Sequence, residues 1–419
     1  MANIAPPVED IAPDALLDAS SSLLSEHPDK DRLFEQLAIS ADRAAVAGAA
    51  DTAVGLAALA VQVLEEIGGE PARLGTALAA LGRLEYERGN PDLEPLERAA
   101  DLCDDLDEPV VSATAYAYLG AALVALDRPG DALAAVSWSL AEQERVLRVQ
   151  PELRPTLKPV RAEADRARGL ACRALGRAPE AMDYLARAVE AALPRTPAQR
   201  LKIAEAATLL VEDLLAEERP EEAMPYAEIA ITALGDGFAV KAALGRQRLI
   251  RCHLMAGGLA AAHPLIEALI EEARAVPGDL TFRAVLADSL AQSAELLPLL
   301  AEDGGERAAE RGRESVAIYD ELLAAGVEAE GVHTGRAAAA LALAYALELC
   351  GKHADAVAPL REAVDTLERY APGNEQLTGY LARALLMLGD ALVESGQAME
   401  AAEVLRRATE LEPVTTPPR

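Results

Sequence analysis

Leu388-Gly389-x2-Leu392-x3-Gly396-x4-Ala401-x3-Leu405-x2-Ala408-x4-Pro413 decides the fold of this chain. Read as helix, turn, helix and stop, it places a small residue opposite a large one at each crossing. Glycine supplies the left-handed turn that ends the first helix, and proline forbids continuation of the second. Small residues at three- and four-residue spacing let two helix backbones approach, with leucine filling the gap. One such hairpin cannot bury its own apolar face. It needs neighbours, so the motif predicts a stack.

Weaker copies run back to about residue 31. The second-helix figure small-x3-large-x2-small recurs as Ala53-x3-Ala57-x2-Ala60, Pro95-Leu96-x2-Ala99, Ala132-x3-Val136 and Ala181-x3-Leu185-x2-Ala188. It returns as Ala223-x3-Ala227-x2-Ala230, Ala261-x3-Leu265-x2-Ala268 and Ala356-x3-Leu360-x2-Ala363. Turn signals precede each, at Gly48, Gly89, Asp127 to Gly130, Gly176, Glu218 to Pro220, Gly257, Gly351 and Gly396. A poorer pair fits 280–325, with its turn at Asp303-Gly304-Gly305. Nine pairs therefore account for 31–412. Pro95, Pro225, Pro264 and Pro359 lie near the starts of second helices, where a first turn tolerates proline but a deeper one should kink the helix.

Composition agrees. Of 419 residues, 51% are apolar but only 3% aromatic, and the apolar mass is the helix formers Ala and Leu. No run alternates as a strand would. The expected architecture is an all-α, right-handed solenoid of about nine helix-turn-helix hairpins over 31–412. A short capping helix is expected in the extension 1–30, a bend at 150–160 where Pro151, Pro155 and Pro159 cluster, and a disordered tail at 413–419.

These residues resemble the tetratricopeptide repeat family. The last hairpin carries the Leu-Gly pair, the turn glycine, both small sites, the large residue between them and the closing proline. Leu119-Gly120 and Leu81-Gly82 echo the first-helix half. The period exceeds the family's usual 34 residues, and Ala261-Ala-His-Pro264-Leu265 and Ala356-Val-Ala-Pro359-Leu360 are similar to the longer-helix repeats of kinesin light chains. The resemblance implies binding of a protein or peptide on the inner wall formed by the first helices. Relatives that sense peptides or clamp chaperone tails commonly use groove asparagines. Here the three asparagines, Asn3, Asn90 and Asn374, fall in end segments or turns.

A net charge of −30 argues against a phosphate-backbone ligand and an anionic membrane surface, and favours a partner of basic or mixed charge. Only five of the 39 cationic side chains are lysine, so guanidinium dominates. The N-terminus carries no basic start or apolar run of the signal-peptide kind, and no 18-residue apolar span occurs, so a cytoplasmic location is expected. Cys103, Cys172, Cys252 and Cys350 are widely spaced in apolar helical stretches and read as packing residues. The five histidines show no metal-ligand spacing, and no nucleophile or phosphate-loop motif occurs. No catalysis, cofactor or metal is expected.

Counting from the small packing sites, the inward set includes Arg83, Tyr86, Arg166, Arg173, Thr208, Gln247, Arg251, Tyr345 and Arg383, with Glu163, Glu205, Glu212, Glu348 and Asp390 among them. The register near 250 allows Arg246 or Arg248 in place of Arg251. The arginines can clamp a partner's carboxylate or phosphate, or pair with the wall's own glutamates. In the first case, replacing Arg166 and Arg173 by alanine weakens partner capture at unchanged stability. Two roles fit: a non-catalytic scaffold, or a regulator whose pitch changes when a small molecule or peptide binds.

Overall fold

The computed structural model describes Leu17 and residues 27–106, 108–301 and 304–411. Among these residues there are eighteen α-helices and no strand, paired as nine hairpins. They fall into two compact units, Met1–Gly237 and Phe238–Arg419. The first unit pairs α1 (Lys30–Ala47) with α2 (Ala50–Ile67), α3 (Pro71–Arg88) with α4 (Glu94–Asp105), and α5 (Pro109–Ala125) with α6 (Pro129–Val149). It continues with α7 (Arg154–Ala174) and α8 (Ala178–Ala191), then α9 (Pro197–Ala216) and α10 (Pro220–Leu234). The second unit pairs α11 (Ala239–Met255) with α12 (Leu259–Arg274) and α13 (Leu280–Leu300) with α14 (Gly304–Ala324). Its last hairpins are α15 (Glu330–Leu349) with α16 (His353–Tyr370) and α17 (Glu375–Glu394) with α18 (Ala398–Leu411). Within each unit a hairpin packs on the next, and first helices also touch, as in α3–α5–α7 and α11–α13–α15–α17. Both units are all-α solenoid segments.

The division falls at the 3-10 turn Gly235–Phe238 rather than at the proline cluster. There α6 ends at Val149, Pro151–Leu153 makes one 3-10 turn, and α7 starts at Arg154. Pro155 sits in the first turn of α7, where amides lack helical partners anyway, and only Pro159 lies deeper. Of the expected capping helix, Leu17 alone is described. It is helical and packs on the α1–α2 core over Gly55, where an added Cβ would lie 2.8 Å from its Cδ1. The rest of that segment, Pro413 and the tail lie outside the described residues.

One turn is used almost throughout. In eight of the nine hairpins the amide after the left-handed residue bonds the carbonyl five residues back, as in Ala49 to Ala44, Arg177 to Cys172 and Gln397 to Leu392. Six of those left-handed positions are glycine, but Asp127 (φ 57°) and Glu218 (φ 58°) hold the same conformation with a Cβ. Glutamate pays a steric penalty there that glycine does not. Glu218→Gly is therefore expected to raise stability by about 0.5–1 kcal/mol in chemical denaturation, and an unchanged midpoint would refute it.

The crossings follow the small-against-large rule. Leu96, Val136, Leu185 and Leu405 on second helices sit over Gly82, Gly120, Gly169 and Gly389 on first helices, and a Cβ on Gly120 would lie 2.5 Å from the Val136 Cγ2. Ala401 and Ala408 are each 1% exposed, while Glu403 is exposed and pairs with Arg406. Ala401→Leu or Ala408→Leu should cost about 1–3 kcal/mol by overpacking. Glu403→Leu should cost little, and equal tolerance of both classes would mean the crossing is not tight. Cys103, Cys172 and Cys252 are buried and Cys350 half-buried, all as free thiols. Burial pushes the Cys103 thiol up to about 11, which leaves it protonated and unreactive at neutral pH.

The arginine content has a structural use. Arginines pair with carboxylates on the equivalent helix of the neighbouring hairpin: Arg73 with Asp31 (2.8 Å), Arg98 with Glu65 (2.6 Å), Arg274 with Glu314 (2.9 Å) and Arg361 with Glu400 (2.7 Å). The long guanidinium side chain spans the gap between parallel helices, and at Arg274 and Arg361 one terminal nitrogen donates to both carboxylate oxygens. These pairs are largely exposed, so each contributes ~0.2–1 kcal/mol.

Candidate functional site

The inner row of the first unit holds a charged and aromatic cluster where packing alone would call for apolar residues. Tyr86 ends α3 on its inner side, and its hydroxyl accepts a hydrogen bond from the Arg166 guanidinium of α7. Arg166 also forks onto Glu163, one turn back, at 3.1 and 2.6 Å. Tyr86 and Arg166 are each 4% exposed. Burial alone would raise the Glu163 carboxyl, but Arg166 beside it holds it below its ordinary value. Burial raises the Tyr86 phenol, so it stays neutral.

Helix α9 closes this cluster. Thr196 caps it by accepting from the Gln199 amide, with Pro197 at the first helical position. The side chains of Thr196 (3.2 Å) and Gln199 (2.8 Å) both donate to Glu87, which Arg83 also approaches at 3.3 Å. One turn on, Lys202 lies over the Tyr86 ring, its ammonium 3.6 Å from the centroid and 3.4 Å from the Tyr86 carbonyl. Burial first, and Arg166 second, lower the Lys202 pKa to about 8. Helix α9 thus returns to α1 and α3, and the first unit's inner row closes on itself. The space that remains is small. Cavities of about 40 Å³, beside Tyr118, Glu163 and Gln199, and about 70 Å³, beside Gly48, Leu84 and Pro197, have room for a water or two.

The expected inward residues therefore differ in accessibility. Tyr86 and Arg166 reach the inner side but are buried by α9 and by each other, so they offer no open surface. Arg83 is mostly buried and bridges Asp42 (2.9 Å) and Glu87. Arg173 is more open and forks onto Asp213 of α9 at 3.1 and 2.9 Å, the acid next to the expected Glu212. Thr208 is half-buried on α9.

In the second unit Gln247 donates to Asp288 of α13 at 3.3 Å, and Tyr319 of α14 donates to the other oxygen of that carboxylate. Burial raises the Asp288 carboxyl despite both donors. Arg251 is exposed, while Arg246 turns to Glu272 on α12 at 2.7 Å. Tyr345 is half-buried near Glu348, whose carboxyl burial and then Asp390 push up. Arg383 is exposed and reaches Glu295 on α13 at 3.3 Å. An open hollow lies along Gln376, Gly379, Tyr380 and Arg383 of α17. Glu87, Thr196, Gln199 and Lys202 escaped the sequence reading. The Thr196-Pro197 cap marks the start of α9, but nothing local in the sequence says that α9 meets α3.

Among the described residues, no three His, Cys, Asp or Glu side chains gather as a metal-sized group, and no helix is long and apolar enough to cross a membrane. A family model described as a tetratricopeptide repeat matches residues 382–415, the last hairpin. Among solved structures, the apo form of RapI aligns with TM-score 0.48 and 10% identity, covering 91% of this chain and 97% of that one. The apo form of the quorum sensor NprR from B. thuringiensis aligns with TM-score 0.39 and 12% identity, covering 83% and 99%. A putative kinesin light chain from P. anserina, with nearly identical TPR-like repeats, aligns with TM-score 0.35 and 19% identity, covering 51% and 97%. No curated protein sequence matches the chain.

Proposed function

We propose that this chain, a tetratricopeptide-repeat protein, is a non-catalytic scaffold that binds a protein or peptide with its first-helix rows. The observation that carries the reading is a division of labour within several hairpins. Apolar faces are consumed between helices, whereas α3, α7, α9, α11 and α17 present hydrogen-bonded polar and charged side chains that a partner's groups can replace. Arg173, Gln247, Arg251 and Arg383 remain at least partly open there, and the surrounding acids favour a partner of basic or mixed charge. Such a surface suits an extended segment laid across successive helices better than a small molecule needing an enclosed pocket.

The closure of the first unit favours a second reading, a sensing regulator. Contacts of α9 with α3 are polar and therefore exchangeable, so a ligand that pairs with Glu87 or Lys202 would compete with the closed form. One pair of measurements separates the readings. A scaffold captures a macromolecule from native extract, loses it on Arg173→Glu with Arg383→Glu, and keeps its own radius of gyration when scattering is recorded with the partner contrast-matched. A sensor changes radius on binding. Capture that ignores both charge reversals would place the binding surface elsewhere and remove the inner-row reading.

A further inference from the structure

Trp138 is the chain's sole tryptophan, and it stands 60% exposed on α6, a second helix. Tryptophan in such a position leaves a large apolar surface in water, which a helix-packing role does not explain. Tyr116 of α5 stacks beside it, ring centroids 6.4 Å apart and planes 26° from parallel. The Tyr116 hydroxyl donates to one oxygen of Asp104 at 2.9 Å and Ser112 donates to the other at 2.8 Å. Asp104 is thus held against the aromatic pair by two neutral donors. Burial first, then Asp104, with Asp101 and Glu142 adding to the negative field, push the Tyr116 phenol up to about 12. Glu142 is itself paired with Arg145 at 2.8 Å.

We infer that Trp138, Tyr116 and the rim of Asp101, Asp104 and Glu142 form a docking site for a basic protein segment, which lays an arginine or lysine side chain over the exposed indole. An aromatic face attracts a cation through its quadrupole, most strongly for indole, and the carboxylates beside it take the cation's N–H groups. Exposed tryptophan is also the residue type most often found at the energetic centre of interfaces. The chain's net charge of −30 steers such a segment inward. The site is built on α4, α5 and α6 and shares no residue with the inner-row set, so it is independent of that reading.

The single tryptophan is its own reporter. Titration with an acetylated, amidated tetra-arginine peptide, itself non-fluorescent, should give a saturable change in indole emission that weakens with salt. An equivalent tetra-glutamate peptide should give none. With a dye-labelled tetra-arginine peptide followed by anisotropy, Trp138→Ala should weaken binding at least tenfold, and Asp104→Asn with Glu142→Gln should weaken it similarly. Unchanged affinity in Trp138→Ala would show diffuse attraction to an acidic surface and overturn the proposal. So would an emission shift that follows protein concentration alone, which would assign the patch to a second copy of the chain. Circular dichroism of each variant confirms that helix content is retained.

Discussion

Arg166→Ala is expected to destabilise the first unit by roughly 3–5 kcal/mol, the largest effect of any inner-row substitution. Arg166 satisfies two groups with little access to water, the buried Tyr86 hydroxyl and the largely buried Glu163 carboxylate. Truncation leaves a buried carboxylate whose remaining cation, Lys202, is itself reluctant to hold its charge. Arg173 makes the comparison, because its bidentate pair with Asp213 is more exposed. Arg173→Ala should cost less than about 1 kcal/mol. Chemical denaturation of both variants, with hydrogen exchange on α3 and α7 to localise the change, gives the answer. Adding Glu163→Ala to Arg166→Ala should recover part of the loss by removing the orphaned charge. Equal, mild losses for both arginines would mean that water reaches the Arg166 cluster. The two arginines look alike in the sequence, where both are inward-facing and both can either clamp a partner or pair with the wall's own glutamates. Burial separates them, and only Arg173 remains suited to a test of capture.

That contrast marks what a repeat sequence makes legible. The nine hairpins, their turns and the crossings at Gly389, Ala401 and Ala408 were readable because each depends on residues less than one hairpin apart. Glycine at a left-handed turn and alanine at a helix crossing are local requirements with few substitutes. The limits of that logic show at Asp127 and Glu218, which hold left-handed turns without glycine. The cluster in the first unit depends instead on how far successive hairpins rotate. Glu87 meets Thr196 and Gln199 across separations of 109 and 112 residues, and Lys202 meets the Tyr86 carbonyl across 116. No residue pattern along the chain encodes that rotation, which sums small packing angles over several hairpins. A tyrosine, an arginine and a glutamate on inner faces read the same whether α9 covers them or a partner does. Trp138 went unremarked for a related reason: its position on α6 fits a helical pattern, and its exposure becomes visible only once α4, α5 and α6 are placed together.

Lys202→Met should raise the stability of the first unit by roughly 1–3 kcal/mol at pH 7, although it removes a hydrogen bond and a cation–π contact. The sign follows from the protonation balance. Lys202 titrates at about 8 in the folded chain against 10.5 for the unperturbed side chain. Below pH 8 both states carry the ammonium, and the folded state bears the full desolvation cost of holding it near Arg166. Between about pH 8 and 10.5 the unfolded chain binds the proton that the folded chain has released, so stability contributed by this group rises with pH across that window. The buried Tyr86 phenol and Cys103 thiol, held protonated in the folded chain but free to ionise when it unfolds, pull stability the other way toward the top of that window, so the Lys202 contribution is read as the difference between wild type and Lys202→Met. Methionine keeps the length and the apolar stem while removing the charge. It should therefore stabilise the unit at pH 7 and flatten the rise between pH 8 and 10. The closed contact of α9 with α3 should tighten as well, seen as slower hydrogen exchange in the second turn of α9. If Lys202→Met instead destabilised at pH 7 and its deficit against wild type shrank as the pH rose through that window, the ammonium would be a net support of closure through Glu163, Glu205 and Glu87. The site would then bind cationic groups in place of Lys202 rather than merely tolerate one.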